Sequence, residues 1–252
     1  MLLITGGGGM AMRALLGLLE ESSIPHLAFL RRELDIADPE AVRKLLESRQ
    51  ARWLVNGAAY TKVDGAESES AEARHVNDQG PRVLAEACAE WGVTLLHLST
   101  DYVFDGSRTS PYCEDDPPAP LNGYGRTKRA GEIGVLRASE KNLVVRTSGL
   151  YGAGGGNFVH AIIRQARLGK PLRVVDDQVL SPTWTGSLAM ALVNLVEKEA
   201  SGIVHFCNGA CCSWYEFTEV ILDEALGRGW IFVRPELVII KSAELQLPAR
   251  RP

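Results

Sequence analysis

The amino-acid sequence predicts an α/β fold, a doubly wound parallel sheet followed by a small C-terminal lobe, and three observations carry that prediction. Short apolar runs of strand length alternate with amphipathic stretches of helix length through the first 150 residues. The first run ends in a glycine-rich turn that opens directly onto a helical pattern. Beyond residue 150 this rhythm loosens, while the chain remains too short for a second large core.

Taken in order, the runs LLIT (2–5), HLAFL (26–30), WLVN (53–56), TLLHL (94–98) and NLVVR (142–146) have the length of strands buried on both faces. Between them, Arg13 to Glu21, Pro39 to Ser48 and Arg82 to Trp91 carry helical periodicity. Asp38 before Pro39 reads as an N-cap and first helical position. Strands separated by helices form right-handed βαβ units, so residues 1–150 are expected as one dinucleotide-binding unit of the Rossmann type. Residues 151–252 are expected mostly as a substrate-side lobe packed intimately on it. There the turn GAGGGN (152–157) precedes a helix from Phe158 to Leu168. A strand at 172–175, a helix over 186–197, a strand near 203–206 and a helix over 214–226 complete it.

Composition excludes several classes. With 252 residues, 46% of them hydrophobic, the chain holds no unbroken apolar window near the roughly 18 residues of a membrane span. Its start, MLLITGGGG, has no basic segment and is not expected to act as a secretion signal. The net charge of −4, with basic residues scattered, argues against a nucleic-acid groove and for a small-molecule partner. Five cysteines without metal spacing point to free thiols in a reducing compartment, the cytoplasm, and to no metal centre.

The glycine turn allows backbone N–H groups to approach a pyrophosphate at a helix N-terminus. Thr5, Gly6 and Gly9 fit a TGxxGxxG pattern, but Met12 stands where the third glycine is expected, which puts close packing of the first helix in question. After the second strand come Arg31 and Arg32, which favour a ribose 2′-phosphate and therefore NADPH, with NADH as the alternative.

Catalytic chemistry is signalled by HLSTDYVFDG (97–106) and YGRTKRAGE (124–132). Tyr124 and Lys128 stand four apart and leave one helix face. A lysine ammonium beside a phenol is expected to lower its pKa and make it an acid–base group. Thr100, at a strand's carboxyl end about 25 residues before Tyr124, is placed to hydrogen-bond a ketone.

These segments, with NGAAYTKVDGAES (56–68), VVRTSGLYG (144–152) and LRVVDDQVLSPT (172–183), resemble the dTDP-4-dehydrorhamnose reductase family of extended short-chain dehydrogenases. The resemblance covers nearly the whole chain. It implies hydride transfer from NAD(P)H to the 4-keto group of a nucleotide-linked deoxysugar, dTDP-4-dehydro-L-rhamnose. Thr100, Tyr124 and Lys128 fall on the family's catalytic positions, and Gly9, Met10 and Ala11 on its pyrophosphate turn. Asp35 and Ile36 fall beside the adenine, and Ala58, Ala59 and Tyr60 along the cofactor. Thr100 and Asp101 fall on sugar contacts, and Asn157, Asp177 and Gln178 on the nucleotide side.

Two departures stand out. Gly149 occupies the place of the family's tryptophan, which implies a wider sugar pocket, open to a side chain such as Trp184. Relatives also continue beyond PARRP (248–252). Trp214, Tyr215 and Phe217 read as packing, the segment 115–120 as a surface lid loop, and His75, His97, His160 and His205 as structural or exposed. Alternative functions are an NDP-sugar epimerase or dehydratase, and a non-catalytic NADP-binding module resembling the regulatory subunit of methionine adenosyltransferase. A homodimer is left open.

Overall fold

The computed structural model describes residues Met1–Pro252. The chain runs β1 (Leu2–Thr5), α1 (Met10–Glu21), β2 (His26–Phe29), α2 (Pro39–Glu47) and β3 (Trp53–Asn56). Two short helices, α3 (Gly65–Ser68) and α4 (Ser70–Arg74), lead through a π-helical turn (His75–Gln79) into α5 (Gly80–Glu90), β4 (Thr94–Thr100), α6 (Gly123–Ala138) and β5 (Leu143–Thr147). The remainder comprises β6 (Leu150–Tyr151), α7 (Phe158–Ala166), β7 (Leu172–Val175), β8 (Val179–Leu180), β9 (Thr183–Trp184) and α8 (Thr185–Glu197). It closes with β10 (Gly202–His205), β11 (Cys212–Ser213), α9 (Trp214–Gly227) and β12 (Leu237–Ile240).

Six strands form one parallel sheet in the order β10-β5-β4-β3-β1-β2. β1, β3 and β5 are buried at every residue, as strands covered on both faces must be. One face packs Met12, Leu15 and Leu19 of α1 with Leu188 and Leu192 of α8. The other packs Val42 and Leu46 of α2 with Leu84 of α5 and Val135 of α6. Asp38 caps α2 as expected, its carboxylate accepting from the N–H groups of Glu40 (2.9 Å) and Ala41 (3.2 Å).

Beyond residue 150 the chain divides between the main body and the small lobe. α8 and β10 return to the main body, β10 as the sheet's edge beside β5. Its residues are only half-buried, so GIVH lacks the unbroken apolar signature of a central strand. The lobe proper packs Ile162 and Ala166 of α7 against Ile221, Leu222 and Ala225 of α9, over the β7–β12 pair. Trp214, Tyr215 and Phe217 pack on this cluster, as expected. No helix is long and apolar enough to cross a membrane.

Candidate active site

The carboxyl ends of β1, β3, β4 and β5 point to one edge of the sheet, where doubly wound folds bind ligands. At the first of these, Gly6 turns with φ +71°, and a β-carbon there would lie 2.5 Å from the Ala58 nitrogen. Only glycine lets this turn lie against the chain leaving β3. Gly9 is the N-cap of α1; no side chain caps the helix and no acidic residue lies in its first turn. The amides at Met10 and Ala11 therefore suit a pyrophosphate. Met12 is fully buried, and the room for it comes from Gly57, where a β-carbon would stand 2.6 Å from its Sδ. The third glycine's absence is thus met by a glycine on the opposite side of the contact.

Around the remaining cofactor positions the surroundings are more engaged. Arg31 is exposed and paired with Glu72, while Arg32 lies 3.7 Å from Glu33. Asp35 Oδ2 lies 3.0 Å from His75 Nε2, and burial raises its carboxyl less than the Ala37 N–H and His75 lower it. Ile36 is buried against Gly80. Ala58 N–H donates to Asn56 Oδ1 (3.0 Å), and Ala59 follows it in the same segment. Tyr60 N–H donates to Asn77 Oδ1 (2.8 Å), while its hydroxyl donates to Glu69 (2.8 Å). Asn77, on the π-helical turn, also donates to the Tyr60 carbonyl (3.0 Å) and to Thr127 Oγ1 (3.3 Å), tying this segment to α6.

Thr100 closes β4, and Tyr124 and Lys128 lie in the first two turns of α6, which packs on that strand. Thr100 Oγ1 donates to Asp101 Oδ1 (3.0 Å) and accepts from the Tyr102 N–H (3.2 Å). Asp101 Oδ2 accepts from Ser148 (2.7 Å), so one carboxylate gathers hydroxyls from the ends of β4 and β5. Burial raises the Asp101 carboxyl, against the pull of those hydroxyls. Tyr102 stands edge-on to Tyr124 at 5.5 Å between centroids, and burial pushes its phenol up to about 12.

Lys128 is buried, its Nζ donating to the Leu98 carbonyl (2.7 Å) and lying 3.2 Å from His97 Nε2. Burial brings its pKa down to about 8, with Glu132 pulling the other way. For Tyr124, burial drives the phenol well above its ordinary range despite the opposing Thr100 hydroxyl. The expected lowering of the phenol by Lys128 is therefore corrected for the free chain. Desolvation of the phenolate dominates, and the lysine nitrogen is directed to β4.

Beneath the site, Glu132 is fully buried and accepts from Arg146 Nε (2.9 Å) and Nη2 (2.8 Å), from Arg129 (2.8 Å) and from the Ser99 hydroxyl. Burial raises its carboxyl, but the Arg146 contact prevails and holds it low. Asn122 caps α6 through the Gly125 N–H (2.8 Å) and donates to the Arg250 carbonyl (2.7 Å). Arg251 Nη2 lies 2.8 Å from Asp64 Oδ2, which anchors the last residues beside Tyr102. Sequence patterning missed these partners. Asn56 alone had a signal, since it ends β3 as Thr100 ends β4.

On the lobe side, the expected nucleotide-side residues are engaged with neighbours of their own. Asn157 caps α7 by accepting from His160 N–H (3.1 Å), and its amide donates to the Gly152 carbonyl (2.8 Å). Asp177 accepts from the Ser242 hydroxyl (2.7 Å), and Gln178 Nε2 lies 2.8 Å from the same oxygen. These side chains, expected to face a nucleotide, are taken up within the lobe. Gly149 has φ +53°, and a β-carbon there would lie 2.5 Å from Leu180 Cδ1. The space is filled by Leu180, while Trp184 instead packs over Gly186 and is half-exposed.

The family model described as the RmlD substrate binding domain matches residues 1–252. A dTDP-4-dehydrorhamnose reductase of Aggregatibacter actinomycetemcomitans is 39% identical over 258 residues, covering 100% of this chain and 88% of that protein. A dTDP-4-keto-6-deoxy-D-glucose reductase of Streptomyces niveus is 41% identical over 219 residues, covering 86% of this chain and 76% of that one. A crystal structure of dTDP-4-dehydrorhamnose reductase from Bacillus anthracis str. Ames in complex with NADP superposes with a TM-score of 0.94 at 35% identity, covering 100% of this chain and 87% of that chain.

Proposed function

The chain belongs to the RmlD substrate-binding-domain family, and from that membership we propose that it is an NADPH-dependent reductase of a dTDP-linked 4-keto-deoxysugar, dTDP-4-dehydro-L-rhamnose. The observation that carries the reading is the placement of Thr100 at the carboxyl end of β4 and of Tyr124 and Lys128 one turn apart at the start of α6, with Lys128 Nζ bonded back to the Leu98 carbonyl of β4. The uncapped N-terminus of α1 and the close approach of Gly6 to Ala58 fit a dinucleotide pyrophosphate. Arg31 and Arg32 supply cations for a 2′-phosphate. Bound NADPH supplies the hydride.

The residues divide the remaining work. The Thr100 hydroxyl orients the keto oxygen against Tyr124. Burial keeps the Tyr124 phenol protonated, so it holds a proton to give to that oxygen as the carbon accepts hydride. Lys128 lies one helical turn beyond Tyr124, its nitrogen held by the Leu98 carbonyl and His97. A cytoplasmic place of action goes with a nucleotide-sugar substrate.

The Leu180 side chain against Gly149 favours a second reading of the sugar itself, a 4-keto-deoxysugar other than the rhamnose precursor. The experiment follows NADPH absorbance with dTDP-4-dehydrorhamnose and with other dTDP-4-keto sugars. Consumption is expected, lowered by about 10²-fold or more in Tyr124→Phe with folding intact. No consumption with any of them overturns the reductase reading, and near-normal turnover in Tyr124→Phe overturns its acid–base role.

A further inference from the structure

A buried polar chain runs beneath the sheet's carboxyl edge from β1 to α6, and its hydrogen-bonding arithmetic closes in only one way. Thr5 Oγ1 donates to Asn56 Oδ1 (2.6 Å), and the Ala58 N–H donates to the same oxygen (3.0 Å). A backbone N–H can only donate, so the Asn56 amide is fixed with its NH₂ toward His97. Asn56 Nδ2 lies 2.9 Å from His97 Nδ1, which must therefore accept. An accepting Nδ1 excludes the imidazolium and puts the ring's hydrogen on Nε2. That hydrogen points at Lys128 Nζ, 3.2 Å away. An ammonium has no lone pair to receive it, whereas a neutral amine can accept it and still donate to the Leu98 carbonyl.

We propose that His97 is a positioning residue for Lys128: fixed by Asn56 as the Nε2–H tautomer, it donates to the amine form of Nζ and so lowers the proton affinity of Lys128. His97 and Asn56 are completely buried, so water cannot take over either contact. The surroundings agree. On α6 the groups near Lys128 are the neutral Tyr124 phenol and Glu132, whose charge is answered by Arg146 and Arg129. From β4 come His97 and, at the strand end, Asp101, which is occupied by Thr100 and Ser148. β1 and β3 contribute neutral Thr5 and Asn56, and the π-helical turn neutral Asn77. Burial already lowers Lys128 to about 8, and the His97 hydrogen acts in the same direction. The role assigned to Lys128 rests on the reductase reading; its charge state does not.

The test is made on the free protein. Long-range ¹H–¹⁵N correlation reads the His97 tautomer, and ¹³Cε-labelled lysine reads the Lys128 titration, with its signal identified by loss in Lys128→Met. Expected are a protonated Nε2, and a Lys128 midpoint that rises by about one unit, tenfold in proton affinity, in His97→Leu. A proton on Nδ1, or a midpoint unmoved in a folded His97→Leu, overturns the proposal. Should that variant fail to fold, the tautomer in the unaltered chain decides by itself. Because no substrate is present, failure of the reductase reading would leave these spectra unchanged. In turnover, the positioning role predicts that His97→Leu shifts the pH profile of kcat/KM, which simple loss of packing would scale without shifting.

Discussion

Met12 and Gly57 fill one space between α1 and the segment leaving β3. The methionine lies fully buried where a third glycine is expected, and Gly57 leaves out the β-carbon that would collide with its sulfur. Gly57→Ala should overpack this contact and destabilise by on the order of 2 kcal/mol. Met12→Ala should cost a similar amount through the cavity it leaves. In the double variant the new methyl occupies part of that cavity, so the two losses should fall short of adding by about 1 kcal/mol or more. Urea unfolding of the four proteins measures this coupling, and strict additivity would show that the two residues do not share the space.

Lys128 sets function against stability. Its folded pKa near 8 lies below the ordinary 10.5, so between those values the unfolded chain binds a proton that the folded chain does not. Stability therefore rises as pH climbs from 8 to 10.5, and below 8 the folded state bears the full cost of a buried ammonium. Lys128→Met should stabilise the protein by on the order of 2 kcal/mol below pH 8, a gain that fades as pH approaches 10.5, while reductase activity is lost. Denaturation at pH 7 and at pH 10 measures it; a destabilised variant at pH 7 would contradict the assignment.

Gly149 cannot simply be given back an aromatic ring. Its φ of +53° is strained for any L side chain, and Leu180 already stands where the β-carbon would go. Gly149→Trp should lower both the unfolding midpoint and kcat/KM, with Gly149→Trp/Leu180→Ala recovering part of each. Thermal melts and kinetics on dTDP-4-dehydrorhamnose decide. A gain from the single change would mean that the turn readjusts freely.

Arg31 and Arg32 follow β2 as exposed cations, one paired with Glu72 and the other near Glu33. Replacing both with alanine should weaken NADPH binding about 10-fold or more and leave NADH nearly untouched, since only the former brings a 2′-phosphate. Titration with each cofactor reads the difference. Equal losses for the two would assign the arginines another role.

The parallel sheet was legible because strands covered on both faces need unbroken apolar runs, and LLIT, WLVN and NLVVR are such runs. β10 was assigned to the lobe because GIVH, half-buried at an edge, resembles any short exposed strand. The placement of Thr100 at a strand end and of Tyr124 and Lys128 on one helix was legible through the apolar run and helical spacing. Asn77 and Arg251 were not, since one depends on a π-helical turn and the other on Asp64, 187 residues away in sequence. The hydrogen bonds of Asn157, Asp177 and Gln178 within the lobe were not legible, because a polar side chain at a cap or turn reads the same in sequence as one facing a ligand. Likewise, His97 gave no sign of its surroundings, which form only when β3, β4 and α6 assemble.

The Glu132–Arg146 contact joins α6 to β5 with both charged ends buried. Lifting α6 alone would strand Arg146 as an unanswered charge against the apolar strands, so fraying of this helix by itself is heavily penalised. Amide hydrogens along the middle of α6 should accordingly exchange only with those of β4 and β5, in one cooperative opening near the global unfolding free energy. The lobe helices α7 and α9 lack such a tether to the sheet and are free to exchange earlier. The protein would then flex in its small lobe while the edge formed by β4, β5 and α6 stays closed.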